Sequence, residues 1–491
     1  MKTSFSLVLN NQRRQPVGAR PIPTILAREV IEHLQTLRFI LSAVILTALM
    51  IVSGLATSAS YRQVWKQYDA NLNDQERGLR TLATLVEAVN FSFTATMPPD
   101  QWAFMTGAQQ WDLPHQVVLT FLDRGEPTKV FTYPAQESAS LLSWIQIVAF
   151  FVSFMAIILL FDAINGEGDT LKLIASNPVS RFQILAGKAL AAYGVIGSSL
   201  LIAILCSVLV ILAVGAIPLH LEAIYPIGLF FGLASIYALV FIFMSLAASA
   251  SFKQPTTSLA FLLIVYLLVV AIWPSISGIM AKVVSPAPSP LTVQQQLESL
   301  QRDVATQYLP RGIRSEGAEK DGYLWERNLD QFICALSQRH QSLIDSVVER
   351  RVNQIRTMQR LAAISPSRLL AAAVEGSVGS DLNQHESFLR QAKNYQAAIQ
   401  DYVGQMDARD SSSLHLLCAG AYYAATFGAA SPLPLISNKK VEPPSIPRFR
   451  FAPSTSSERP REALYSAGVL LIELLLLMVL ANRLFARADI R

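Results

Sequence analysis

Charged side chains are scarce in this sequence. They make up 15% of its 491 residues, against about 25% in an average soluble chain. Catalytic signatures are missing as well. A phosphate cradle needs G-x-x-x-x-G-K-[ST], but Gly187–Lys188 is followed by Ala189 and lacks the upstream glycine. The chain therefore has no route of that kind to ATP hydrolysis and is not expected to be an enzyme. HExxH, CxxC and GxSxG are absent too. His33, His115, His220, His340, His385 and His415 are scattered without ligand spacing, so they read as packing or surface residues and no metal or cofactor is expected. The net charge of +5 comes with no basic stripe, which argues against a nucleic-acid partner. Cysteine is rare. Cys206 lies in an apolar run and reads as a small core residue. Cys334 and Cys418 share one long segment, where they can pair if the compartment is oxidising or stand as two independent thiols.

Apolar length is what the sequence has. Hydrophobic residues make up 52%, and the mean hydropathy is +0.36. Six runs are long enough for a bilayer core, which takes roughly 20 helical residues: 39–58, 141–161, 184–216, 227–248, 259–279 and 464–484. The first is preceded by a polar lead of 38 residues, too long for a secretory n-region, so an uncleaved span is expected. Lys and Arg cluster in the lead (Lys2, Arg13, Arg14, Arg20, Arg28, Arg38), in the 162–183 loop (Lys172, Arg181), at Lys253 and in the 485–491 tail. Turn 217–226 has none. The alternation places both termini in the cytoplasm and segments 59–140 and 283–463 outside. The expectation is an all-α polytopic membrane protein with six transmembrane helices and two mainly α extracytoplasmic insertions, the first with a small β element.

Ile22, Leu26, Val30, Leu34 and Leu37 make a helical stripe just before the first span. They predict an interfacial amphipathic helix within the 1–38 lead. Segment 59–140 reads as a helix over Tyr61–Val89, then a β-prone stretch with "DRGE" as hairpin turn. Segment 283–463 reads as helices near 291–308, 324–362 and 383–407. A further helix starts at Ser365–Pro366 and stops at Gly376. The Pro-rich stretch 431–455 reads as a linker back to the last span. Glu473 is the one acid well inside a span, and an intramembrane carboxylate is a functional candidate by default.

Residues 161–181, "FDAINGEGDTLKLIASNPVSR", join the second and third spans. Asp162 ends one span, Gly166 and Gly168 permit a sharp turn, and Asp169 or Thr170 caps a short helix. Leu171, Leu173 and Ile174 are its apolar contacts, and Asn177–Pro178 stops it. With the following "FQILAGKAL", the stretch resembles the cytoplasmic loop of type-2 ABC exporter permeases. Their usual form is Tyr-Asp-x-Ile-x-Gly-Glu-Arg-x-x-Gly-Thr-Leu-Lys-Leu, then Ser-Asn-Pro-Val-Ser-Arg, then a Gly-Lys. Here Glu167 is followed directly by Gly168–Asp169, so the loop is shorter. Ser365, Pro366, Gly376, His385, Phe388 and Tyr395 resemble the large external insertion of the nitrous-oxide-reductase accessory and gliding-motility permeases. The "AREVIEHLQTLRF" stretch resembles their elbow helix.

The resemblance implies a permease in a bacterial inner membrane, paired as a homodimer or with a paralogous permease and assembled with separate ABC ATPase subunits. Its lipid surroundings and a periplasmic partner complete the implied contacts. The loop would be the receiving element. Asp162, Gly166, Asn177 and Pro178 would shape it, Glu167, Asp169, Lys172 and Arg181 would make polar pairs with the ATPase, and Leu171 and Leu173 would anchor it. Two readings follow from this, an exporter permease and a component that transmits force to an envelope assembly or maturation system. A third, an intramembrane enzyme built on Glu473, lacks a second catalytic group. The spans carry no fingerprint of a cargo.

Overall fold

The computed structural model of the chain describes residues 21–107, 115–125, 142–166, 180–308, 323–427, 431–453 and 459–487. The fold is all-α apart from one small sheet. Helix α1 spans Pro21–Gln35 and α2 spans Leu37–Thr81. The break between them has a local cause. Thr36 is extended, and its hydroxyl accepts the Phe39 N–H at 3.3 Å while donating to the His33 carbonyl at 2.8 Å. Helix α1 is thus a separate elbow and not an extension of the span. Its buried face is the polar one, with Glu29 and His33, whereas Leu34 and Leu37 of the apolar stripe are exposed. In a membrane protein that places the stripe toward lipid.

Helix α2 holds 45 residues, about 68 Å at 1.5 Å per residue. It carries the first apolar run and continues through residues 61–81 of the helix expected over 61–89. Helix α3 (Leu85–Asn90) follows after a break. Strands β1 (Phe93–Thr96) and β2 (Gln116–Leu119) pair antiparallel, Phe93 opposite Leu119 and Thr96 opposite Gln116. The β-prone stretch does turn, but ahead of the expected "DRGE": the turn is Thr120–Asp123, closed by the Leu119–Arg124 bridge, so Arg124 and Gly125 already lie on the returning arm. Its ladder partner, however, is β1, which the sequence reading did not contain. Residues 126–141, expected as the second hairpin arm, lie outside the described residues.

Helix α4 covers Trp144–Leu160 and contains a π-helical segment, Val148–Val152. A π segment frees carbonyls from the i→i−4 ladder, and apolar surroundings demand new donors. Tyr237 Oη donates to Ala149 O at 2.7 Å and Tyr266 Oη to Phe150 O at 3.0 Å. Helices α5 (Arg181–Val214), α6 (Ile224–Ser251) and α7 (Pro255–Val284) complete the central run. Helix α7 holds a second π segment at Leu267–Ile272, where Ser365 Oγ donates to Val269 O at 2.8 Å. Among the described residues five helices are long and apolar enough to cross a membrane, and α4 is a shorter apolar helix beside them. Lys and Arg flank one end of the bundle, called here the basic end; the long insertions lie at the other, the domain end.

Helices α8 (Pro290–Tyr308), α9 (Leu324–Ala362), α10 (Pro366–Val378), α11 (Leu382–Ala408) and α12 (Leu417–Phe427) follow, and α13 (Arg459–Arg487) returns through the bundle. The three long helices expected near 291, 324 and 383 are present. Pro366 starts α10 as predicted, but the stop is Gly379 (φ 75°) rather than Gly376. Gly376 instead lies against α13: a Cβ there would sit 3.2 Å from Ala463 Cβ. Any side chain would push the two helices apart.

The two insertions share a core. Phe93, Val117 and Leu119 of the sheet pack with Phe388, Tyr395 and Ile399 of α11. Two strands are marginal without such support. Ion pairs Glu76–Arg448 (2.9 Å) and Arg124–Asp345 span the same junction. Residues 431–453 are no linker. Leu435, Ile436, Val441 and Ile446 are buried, and Lys440 bridges Thr84. Cys334 of α9 and Cys418 of α12 form a disulfide. Asp330 lies beside them, but each sulfur is bonded to the other and neither is left to bind metal as a thiolate.

Candidate functional site

The basic end of the bundle is where α4 finishes and α5 begins. The backbone of residues 161–166 turns out of α4 and is tied to the end of α6. Ile164 N–H donates to Ser249 Oγ at 2.9 Å, Ser249 Oγ donates to Asn165 Oδ1 at 3.2 Å, and Asn165 Nδ2 donates to Phe252 O at 3.1 Å. Gly166 N–H closes the turn on Asp162 O at 2.9 Å. A Cβ at Gly166 would fall 2.6 Å from that oxygen, so glycine is required there. Asp162 meets Arg38 Nη1 at 3.1 Å, and the Arg38 guanidinium lies 5.1 Å over the Phe161 ring. This pair is well exposed and contributes little to stability.

The other root of the loop is equally fixed. Ser180 and Gln183 form a capping box at the start of α5: Gln183 N–H donates to Ser180 Oγ at 3.2 Å and Ser180 N–H to Gln183 Oε1 at 3.0 Å. Such caps stabilise a helix start by about 1 kcal/mol. Arg181 Nη1 donates to Phe485 O at 2.9 Å and Ala486 O at 2.8 Å. It satisfies last-turn carbonyls of α13 at the negative end of that helix. Arg181, expected to face an ATPase, is engaged within the chain.

Between the two roots lies a buried ion pair. Lys188 Nζ of α5 meets Glu29 Oε1 of α1 at 2.9 Å, with the two side chains 1% and 6% exposed. His33 sits one turn from Glu29, and burial pushes its pKa below the usual histidine range. Glu29, Glu32, His33, Arg38, Asp162 and Lys188 line one cavity of ≈ 190 Å³. Four helices therefore meet through charge at this point: the elbow α1, α2, α4 and α5. Ser249 adds α6, and Arg181 adds α13.

Architecture and site now stand together, and sequence comparison fits them. A family model described as "ABC-2 family transporter protein" matches residues 23–490. The chain belongs to that family. Among curated proteins none matches it. ABC-2 family permeases work with an ABC ATPase subunit. In this ABC-2 protein Asp162, Gly166 and Arg181 are held at the roots of the loop. Glu167, Asp169, Leu171, Lys172, Leu173, Asn177 and Pro178 lie outside the described residues.

Sequence reasoning missed Glu29 and Lys188 as partners. Lys188 entered only as part of the Gly-Lys pair, and Glu29 was not singled out. The Gly-Lys of the family pattern was the available signal; the partner, 159 residues away, was not. Glu473 is half-buried on α13, with Oε2 buried and without a partner among the described residues. No second titratable group completes a catalytic pair with it there. Residues of the resembled insertion pattern organise packing. Phe388 is fully buried, Tyr395 Oη donates to Pro447 O at 3.1 Å, and the His385 ring stands edge-on to His115 at 5.6 Å. Burial pushes the His385 pKa down to about 4, so it stays neutral near pH 7.

Proposed function

We propose that the chain is the permease subunit of an ABC exporter of a bacterial inner membrane, driven by a separate ATPase subunit that docks on the 162–183 loop. In this reading the basic end and both termini are cytoplasmic, the chain itself hydrolyses no ATP, and it works as a homodimer or with a paralogous permease. Its subgroup is that of the nitrous-oxide-reductase accessory and gliding-motility permeases. The observation that carries it is the anchoring of both loop roots. A push on the loop cannot be absorbed locally, because Asp162, Asn165 and Arg181 hand it to α2, α6 and α13, and the Lys188–Glu29 pair ties α5 to the elbow.

The test is Leu173→Asp in the full complex. A charge at an apolar anchor is expected to abolish transport and to remove the ATPase from the purified permease, with folded yield unchanged. Undiminished co-purification would count against the docking role.

One observation favours force transmission as a second reading. Helix α2 runs unbroken from the basic end to Leu79, whose side chain is in the domain core. A single helix of that length is a lever. Substrate-stimulated ATPase with solute movement in liposomes supports export; ATPase without solute movement supports the lever.

A further inference from the structure

At the domain end, where α9, α10 and α13 converge, a cavity of ≈ 260 Å³ is lined by Arg356, Arg360, Arg368, Glu375, Asp381 and Tyr465. The charges in it are unequally engaged. Arg356 pairs with Glu386. Asp381 is the N-cap of α11: it accepts from Gln384 N–H at 3.2 Å and Asn383 Nδ2 at 3.0 Å. Arg360 is exposed and makes no ion pair or side-chain hydrogen bond among the described residues. Glu375 is 4% exposed, and its Oε1 has no partner. An unpartnered buried carboxylate oxygen is costly unless something fills the space beside it. Burial pushes the Glu375 pKa up to about 7, so near neutrality much of it is the acid and carries an O–H. Arginines and one carboxylic acid then converge as donors, the set that recognises phosphate oxygens.

The depth of the cavity narrows the ligand. Tyr465 lies at the start of the apolar run of α13. Leu464 and Tyr465 are 68% and 70% exposed, and below them Leu471, Ile472 and Leu475 continue an uncovered apolar stripe. Aromatic residues mark the membrane interface, and a guanidinium at that level pairs well with the phosphate of a lipid head group. We propose that this cavity holds the phosphate of an anionic phospholipid of the adjacent leaflet, with its acyl chains along α13. Arg360 and Arg368 are the charge donors, Glu375 is the hydroxyl donor, and the stripe on α13 distinguishes a lipid from a free anion.

The experiment is native mass spectrometry of the full-length protein titrated with phosphatidylglycerol, phosphatidylcholine or inorganic phosphate. The expected result is one tightly held phosphatidylglycerol per chain, preferred at least tenfold over phosphatidylcholine. Arg360→Gln should weaken retention about fivefold, and Arg360→Gln/Arg368→Gln further, since each removes a guanidinium that pairs with phosphate. Glu375→Gln should retain binding, because its amide still donates. Arg360→Gln changes an exposed side chain, so it reads the site even if the double variant is unstable. Equal retention in Arg360→Gln and the parent protein would overturn the proposal. So would equal binding of phosphatidylcholine, or displacement of the lipid by equimolar inorganic phosphate.

Discussion

Lys188→Ala is expected to destabilise the protein by about 3–5 kcal/mol and to abolish ATP-driven transport. The reason is an asymmetry. A buried pair contributes little net stability over a well-packed apolar pair, but removing one partner strands the other charge. Here the stranded group is Glu29, whose side chain is 6% exposed and whose partner lies 2.9 Å away. No other cation pairs with Glu29 among the described residues; Arg38 is engaged with Asp162. Glu29→Leu/Lys188→Met should recover most of the stability, because both charges leave together. It should not recover transport, because α1 and α5 would no longer be joined by a directional contact. Thermal melting of the solubilised protein and transport in proteoliposomes read the two effects separately. A Lys188→Ala protein that melts like the parent would remove the pair from the account.

The second large effect concerns the domain end. Cys334→Ser/Cys418→Ser should destabilise the body at the domain end by about 4–5 kcal/mol, on a chain-entropy estimate for a closed loop of this size. The sequence separation is 84 residues. The core it staples is small, chiefly Val304, Leu329, Phe332, Ile333 and Leu435, so little else compensates. The variant should be cleaved at lower denaturant in limited proteolysis, and reductant should reproduce the effect in the parent but add nothing in the variant. Labelling of both thiols in the unreduced parent would contradict the bridge.

Local pattern and long-range pairing were unequally legible in the sequence. The spans could be read from apolar length, and α8, α9 and α11 from three- and four-residue spacing, because a helix is specified by neighbours along the chain. The elbow helix was legible for the same reason, but its break at Thr36 was not, because the apolar stripe runs on through Leu37. The β1–β2 pairing was not, since Phe93 and Leu119 meet only after the chain has turned back. Residues 431–453 looked like a linker because their prolines forbid regular structure. Yet Leu435, Ile436 and Val441 dock by side chain alone, which needs no periodicity. Helix α12 was missed because its small residues show no stripe. The π segments left no sequence trace, because they depend on hydroxyls of Tyr237, Tyr266 and Ser365 on other elements. At the candidate site, Asp162, Gly166 and Arg181 could be named from the loop pattern. Arg38 and Phe485, the partners of Asp162 and Arg181, could not, nor could Ser249, which holds Ile164 and Asn165, because each lies far away in sequence.

The most direct measurement of the central claim is photo-crosslinking from a single reactive residue in place of Lys172, made in the native membrane. One dominant adduct is expected, whose second chain carries a G-x-x-x-x-G-K-[ST] phosphate loop, formed in the parent background and lost with Leu173→Asp. Adducts only with lipid or with another permease copy would contradict it.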